Sequence, residues 1–276
     1  MSATACAVSV ECLRFEPLSI RAKQMLTALS RAAASAGVSC ADTKRYEGAA
    51  DWLLLWGPGA PSRFEPMRQQ IARGGHVLAL DLAYWERETK VRISIDAAHP
   101  QSWVMKRDWP ADRLAADRPL IADRWNPTGP VIVAGIGRKA RAQYGGDVDA
   151  WERQMIAAAV ARWPERRVFY RAKQADAPVP QGVARAGSRP INDVLSGASL
   201  LITWHSNVAV DAIRLGIPVI CRDGAASAVC ASSFEPNDPR PLASDVRDRF
   251  LRNLAWFQWE PCEARACWSW LTEVLS

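Results

Sequence analysis

The stretch from Leu200 to Ile220 constrains this chain more than any other. Leu200 to Trp204 is a continuous apolar run of strand length. His205-Ser206-Asn207 is a polar elbow, Asn207 to Leu215 has a helical pattern closed by Gly216, and Pro218 to Cys221 is a second short apolar run. A strand, a helix and a strand in so few residues return the second strand parallel to the first, with the helix crossing one face of the sheet. The elbow then lies at the carboxyl end of a strand and the amino end of a helix. Free backbone N–H groups and the helix dipole point outward there and attract anions. Ser206 and Asn207 add a hydroxyl and an amide, and simple helix capping by either is compatible with anion binding. Asp211 stands one helical turn inward, where a carboxylate can accept hydrogen bonds from the vicinal hydroxyls of a ribose. The alternative, a solvent-facing helix aspartate, fits less well between Val210 and Ala212.

The same order recurs along the chain. Ser9 to Arg14 is β-prone, Leu18, Ala22, Met25 and Leu29 recur at helical spacing, and Gly37 follows. Trp52 to Trp56 is a buried strand, Pro61 opens a helix carrying Phe64, Met67 and Ile71, and His76 to Asp81 is another buried strand. Val91 to Ile95 alternates and predicts a half-exposed or edge strand. Trp103 to Pro130 has no clear period and reads as the end of the first half and a linker. In the second half Val131 to Ile136 is a strand. Asp149 begins a helix with Glu152 placed as in a capping box. Val168 to Arg171 is a strand and Ile191 to Leu195 a short helix. Two β-α-β-α-β series predict an α/β protein of two Rossmann-like halves. The expected divisions are 1–125, 126–245 and a helical, tryptophan-rich segment at 246–276.

Two further segments carry chemistry. Val131-Ile-Val-Ala-Gly-Ile-Gly-Arg-Lys139 ends a strand in a glycine turn with two cations. Glycines let backbone approach a phosphate, and Arg138 and Lys139 neutralise it. Arg171 and Lys173 leave the following strand in the same direction. Solubility charge is the alternative for all four cations. In the first half Asp81 ends a buried strand, and Asp96 and His99 follow the alternating one. A carboxylate or imidazole there can deprotonate an acceptor hydroxyl, or can serve as a strand-end cap or a surface loop residue. Gly-x-Ser-x-Gly, Walker A, His-Glu-x-x-His and kinase motifs are absent from the sequence.

Composition narrows the partners. The formal charge of +6 suits an anionic partner, although no block of like charges occurs. Thirteen tryptophans supply packing and flat platforms on which sugars or bases stack. Seven cysteines without a Cys-x-x-Cys pair, beside three histidines, argue for free thiols over a zinc site. With no apolar run of membrane-spanning length and no signal-peptide pattern in Met1 to Val10, a cytoplasmic location is expected.

On these motifs the second half resembles the donor-binding half of GT-B-fold glycosyltransferases. Asp211-Ala-Ile-Arg-Leu-Gly-Ile-Pro-Val219 matches the family's Asp/Glu-Ala-x-x-x-Gly-x-Pro-Val pattern, and Arg138 and Lys139 match its cationic turn. The resemblance covers Val131 to Cys221. It implies a cleft between two Rossmann-like halves and a C-terminal helix crossing back onto the first. Gly137, Arg138, Lys139, Arg171, Lys173, His205, Ser206 and Asn207 would hold a donor diphosphate, and Asp211 its ribose. Asp81, Asp96 or His99 would activate the acceptor. The glutamate found upstream of the ribose-binding acid in many retaining members is replaced here by His205 and Ser206, which leaves the stereochemistry open. Short, basic, tryptophan-rich members look similar to phage enzymes that glycosylate hydroxymethylated DNA bases.

The implied activity is hexosyl or pentosyl transfer from a nucleotide-sugar, a UDP-sugar first, without a tightly bound cofactor and with divalent-metal dependence open. The implied acceptor is anionic, DNA first and a phosphoglycan second, in a host cytoplasm if the gene is a phage's. A nucleotide-sugar epimerase and a non-catalytic nucleotide- or nucleic-acid-binding protein are the rival readings.

Overall fold

The computed structural model describes residues 8–174, 176–234 and 238–275. Cys6, and most of the Met1 to Val10 stretch, lie outside them. In chain order the elements are β1 (Ser9–Leu13), α1 (Ile20–Ala32), β2 (Ser39–Thr43), β3 (Trp52–Trp56), α2 (Pro61–Ala72), β4 (His76–Leu82) and β5 (Val91–Ile95). There follow α3 (Asp112–Asp117), β6 (Val131–Ala134), α4 (Arg138–Tyr144), α5 (Asp147–Arg162), β7 (Val168–Arg171), β8 (Ala184–Arg185) and α6 (Ile191–Leu195). The chain ends with β9 (Leu200–Thr203), α7 (Val208–Arg214), β10 (Val219–Cys221), α8 (Ser244–Ala255), β11 (Gln258–Trp259) and α9 (Ala264–Leu275). Contacts divide the chain into one unit of Met1–Pro100 with Phe257–Ser276 and another of Gln101–Trp256.

The first unit is a six-stranded sheet in the order β11-β5-β4-β3-β1-β2. Strands β2, β1, β3 and β4 are parallel, as continuous apolar runs separated by helices require. The apolar side chains of β1, β3 and β4, among them Leu13, Leu53, Leu55, Val77 and Ala79, pack with Met67 of α2. Helix α9 lies against α1. Trp268 donates its indole N–H to the Leu29 carbonyl at 2.8 Å, and its ring stacks on Trp52 with centroids 6.3 Å apart.

One sequence expectation needs correction here, and one strand was not foreseen. All five residues of β5 are buried, and the strand lies between β4 and β11 rather than at an edge. Its alternation misleads because Arg92 and Ser94 are polar side chains satisfied inside. Arg92 donates to the Leu82 and Ala98 carbonyls, and Ser94 to the Ala98 carbonyl. The exposed edge strand β2 carries no apolar period and escapes pattern reading.

The second unit is a parallel five-stranded sheet in the order β10-β9-β6-β7-β8. Its core joins Val131, Val133, Leu200 and Ile202 to Met155, Ile156, Ala159 and Trp163 of α5 and the turn after it. Here the capping-box reading of Glu152 is corrected. Helix α5 starts at Asp147, and Glu152 is buried within it. Arg138 and Lys139, read as part of a turn, form the first turn of α4. Among the described residues no helix is long and apolar enough to cross a membrane.

Candidate functional site

Strand order locates the site. Counted within the second unit, β6 is first in the chain, β7 and β8 follow on one side of it, and β9 and β10 return to the other. Chains leaving β6 and β9 therefore turn to opposite sides of the sheet. The carboxyl ends of these two neighbours are the point at which open α/β sheets hold ligands. The glycine turn leaves β6 at this point, and the His205-Ser206-Asn207 elbow leaves β9 beside it.

The glycine turn is shaped from below. A side chain at Gly135 would press to 2.4 Å from the Tyr170 hydroxyl, and one at Gly137 to 3.0 Å from Cγ of Lys173. Ile136 donates its backbone N–H to buried Glu152 at 3.0 Å, and the Tyr170 hydroxyl donates to the same carboxylate at 3.1 Å. Burial pushes the Glu152 carboxyl above its ordinary range, a rise opposed by these hydrogen bonds. Burial and the nearby carboxylate push Tyr170 up to about 12, so it remains a donor. Arg141 joins Asp149 at 2.7 Å and Glu152 at 3.4 Å, bracing the start of α5 against the turn. Beside it lies a cavity of about 520 Å³ lined by Arg138, Arg141, Glu152, Arg153 and Gln174.

Arg138 and Lys139 are exposed, with Arg138 3.7 Å from Asp176. Lys173 reaches back from the end of β7 to Gly137. Arg171 points elsewhere and donates to the carbonyls of Gly187 and Arg189. On the elbow, Ser206 receives the Val208 N–H on its hydroxyl at 3.4 Å, a weak cap, whereas Asn207 makes no side-chain cap. Thr203 ties the two strand ends together, its hydroxyl donating to the Ala134 carbonyl at 3.4 Å. The structure thus brings Gly137, Arg138, Lys139 and Lys173 to one side of the switch point and His205, Ser206 and Asn207 to the other. Asp211 is buried one turn down and pairs with buried Arg214 at 3.3 Å. Arg214 in turn donates to the Leu120 carbonyl.

Pattern reading missed three neighbours of the elbow. Asp223, two residues beyond β10, accepts from the Tyr144 hydroxyl and from Gln101. The Tyr144 ring lies 5.8 Å from that of His205. An Asp-Gly pair directly after a buried strand was the available signal. Among the described residues no cluster of His, Cys, Asp and Glu is arranged to hold a metal ion.

In the first unit Asp81 pairs with buried Arg92 at 3.2 Å and caps the Leu82 N–H. His99 is buried, with Nδ1 3.1 Å from the Tyr84 hydroxyl. Arg92 also donates to Ala98, so Asp81 and His99 share one neighbourhood. Asp96 does not. Strand β5 runs antiparallel to β4, with Ile95 opposite Leu78 and Val91 opposite Leu82, so Asp96 falls at the far edge of the sheet. There it accepts the Val77 N–H and meets Nδ1 of His76 at 2.9 Å.

No family model and no curated protein matches this chain. Solved structures do. KpsC, a β-Kdo 2,7 transferase of Thermosulfurimonas dismutans, aligns with a TM-score of 0.55 at 13% identity, covering 96% of this chain and 99% of that one. KpsC, a β-Kdo 2,4 transferase of the same organism, aligns with a TM-score of 0.56 at 11% identity, covering 94% and 95%. The fold is GT-B. Two Rossmann-like halves, foreseen from element order, are therefore present, and at these identities the likeness speaks for architecture alone.

Proposed function

We propose that this chain is a glycosyltransferase that moves a sugar from a nucleotide-sugar donor to a hydroxyl acceptor. One observation carries the reading. In the second unit, the switch point between β6 and β9 receives a glycine turn with Arg138 and Lys139 on one strand end and the Ser206-Asn207 elbow on the next. Donors of both kinds, charged and neutral, suit the two phosphates of a nucleoside diphosphate. Arg138, Lys139, Lys173, Ser206 and Asn207 hold the diphosphate in this reading. Asp81 or His99 of the first unit takes the acceptor proton. Asp96 fits the role less well because it lies away from the strand carboxyl ends.

The two KpsC structures are named as Kdo transferases, which puts Kdo donors beside UDP-hexoses among those to test. The charge of +6 favours an anionic acceptor, either an acidic glycan or hydroxymethylated DNA. The test is a thermal-shift screen against nucleoside mono- and diphosphates and nucleotide-sugars. A ligand at a hundred times its Kd adds about 2.7 kcal/mol to the folded state and raises the melting temperature visibly. A hit that disappears in the double variant Arg138→Glu, Lys139→Glu supports the donor site, and transfer to each acceptor class is then assayed. A folded protein that no nucleotide stabilises rejects the reading.

A further inference from the structure

The first unit has a switch point of its own, where the chains leaving β1 and β3 part. The turn leaving β3 is Gly57-Pro58-Gly59. Gly57 has φ 71° and donates its N–H to the Leu80 carbonyl at 2.7 Å, so backbone conformation explains a glycine there. Gly59 has no such reason. Its φ lies outside the left-handed region, and a side chain added to it would meet nothing within 4 Å. Neither conformation nor crowding asks for a glycine, whereas Gly135 of the second unit is required by Tyr170. What the missing side chain leaves at Gly59 is bare, half-exposed backbone.

Arg63 stands four residues on. Its guanidinium lies over the Phe15 ring, 5.6 Å from the centroid, and Phe15 packs in turn on the core of Leu13, Leu55 and Met67. The side chain is half-buried. Its Nε is enclosed without a hydrogen-bond acceptor, and its Nη groups have no acceptor among the described residues either. Burial lowers the Arg63 pKa, and no carboxylate opposes that effect. The acids closest in the chain are occupied. Glu65 accepts from Arg68 and Gln69, and Glu16 accepts the Leu18 N–H and pairs with Lys23 at 3.5 Å. Asp42, across from β1, pairs with Arg14 at 2.9 Å. An arginine keeps its charge in a protein, and taking that charge partly out of water without a counter-charge is unfavourable. Buried polar groups almost always have partners, so this one calls for a partner from outside the chain. A carboxylate or phosphate accepts two parallel N–H bonds from a guanidinium.

We infer that Arg63, on its Phe15 floor beside the bare turn at Gly59, binds the carboxylate or phosphate group of an acidic sugar. The Nη groups take the anion, and the turn leaves the sugar room to approach. As an acceptor site it rests on the glycosyltransferase reading above, and it narrows the acceptor to acidic saccharides. A nucleic acid fits less well. Its backbone takes a row of cations, and the neighbouring strand end offers only Lys44 and Arg45 with Glu47 close behind them.

The test is an NMR titration of the full chain that reads the Arg63 Nε–H signal, which its enclosure shelters from exchange with water. Loss of the signal in Arg63→Ala assigns it. The probes are glucuronate, glucose 6-phosphate, inorganic phosphate, glucose and a short DNA duplex. Glucuronate or glucose 6-phosphate is expected to move the signal and to bind the wild type about tenfold or more tightly than Arg63→Ala, the scale of hydrogen bonds to a charged group. Glucose should leave the signal in place. Gly59→Leu should weaken the same binding. Neither substitution should lower the melting temperature, because no hydrogen bond or ion pair within the chain is lost. A lower melting temperature with unchanged affinity makes Arg63 a scaffold residue and overturns the site. If Arg63→Ala does not fold, Arg63→Lys, which keeps the charge but not the two-pronged donor, carries the same comparison. Inorganic phosphate or DNA binding more tightly than either acidic sugar overturns the saccharide assignment. No shift with any probe in the folded wild type overturns the site, and nucleotide binding that depends on Arg138 and Lys139 then leaves the donor reading standing. Acidic sugars bound at Arg63 by a chain that takes no nucleotide keep the site and remove the glycosyltransferase reading.

Discussion

The two units are built on the same plan and differ at their switch points. In the first unit, β1 and β3 are the neighbours whose chains part. Arg14 leaves β1 and pairs with Asp42 at 2.9 Å, and Phe15 beside it lies under Arg63 at 5.6 Å. There the unit's own side chains partner one another, while the Gly57-Pro58-Gly59 turn leaving β3 has open space at both glycines. In the second unit the corresponding point carries Gly135, where a side chain would meet the Tyr170 hydroxyl, and cations exposed to solvent. The comparison teaches that a parallel sheet supplies a place for a ligand, and that the residues at two strand ends decide which charges the place offers. The polar groups of the first unit that could do acid–base work, Asp81 and His99, sit one strand away around Arg92.

Reversing the charge at the second unit's point breaks the comparison most directly. Arg138→Glu with Lys139→Glu should weaken binding of the donor nucleotide about a hundredfold or more, since two charge-assisted contacts are lost. Both side chains are exposed, so the melting temperature without ligand should hardly move. Equal nucleotide affinity in this variant would mean that the cations serve solubility.

Filling the glycine turn is the next largest change. Gly135→Val drives a side chain into the Tyr170 hydroxyl and should cost about 1–3 kcal/mol, read as a lower denaturant midpoint together with weaker nucleotide binding. Unchanged stability would show that the turn is looser than the 2.4 Å approach implies.

A variant of similar size tests the buried acid of α7. Asp211→Asn keeps the shape but removes the charge opposite Arg214, and should destabilise by about 1–3 kcal/mol. Donor affinity measured in the folded fraction separates a supporting role from the ribose contact that the sequence pattern implies for this residue. Unchanged affinity assigns Asp211 to the scaffold.

The smallest effect is a slope with pH. Burial holds the Glu152 carboxyl above its ordinary value of 4.5. The folded state therefore binds this proton more tightly than the unfolded chain, and the associated stability is present below about 4.5 and lost as pH rises through the folded value. Glu152→Gln removes the titration, so its stability should fall less than that of the wild type across this window. Parallel curves for the two proteins would show that the hydrogen bonds from Ile136 and Tyr170 cancel the effect of burial.

Much of the scaffold was legible because continuous apolar runs and helical periods follow from what must be buried. Strands β1, β3, β4, β6, β7, β9 and β10 lie within a residue or two of their expected positions. Strand β2 was invisible because an exposed edge needs no apolar pattern, and β5 was misjudged because its polar side chains find partners inside. Local chemistry marked the glycine turn, its cations and the elbow, since such residues act through the backbone next to them. Asp223, Tyr144 and Gln101 are far apart in sequence, and their meeting depends on where β10 and α4 end. Sign and spacing along the chain carry no record of it. The order β10-β9-β6-β7-β8 is likewise a property of the packed sheet, settled when apolar faces many residues apart bury one another. That order puts the turn after β6 beside the elbow after β9.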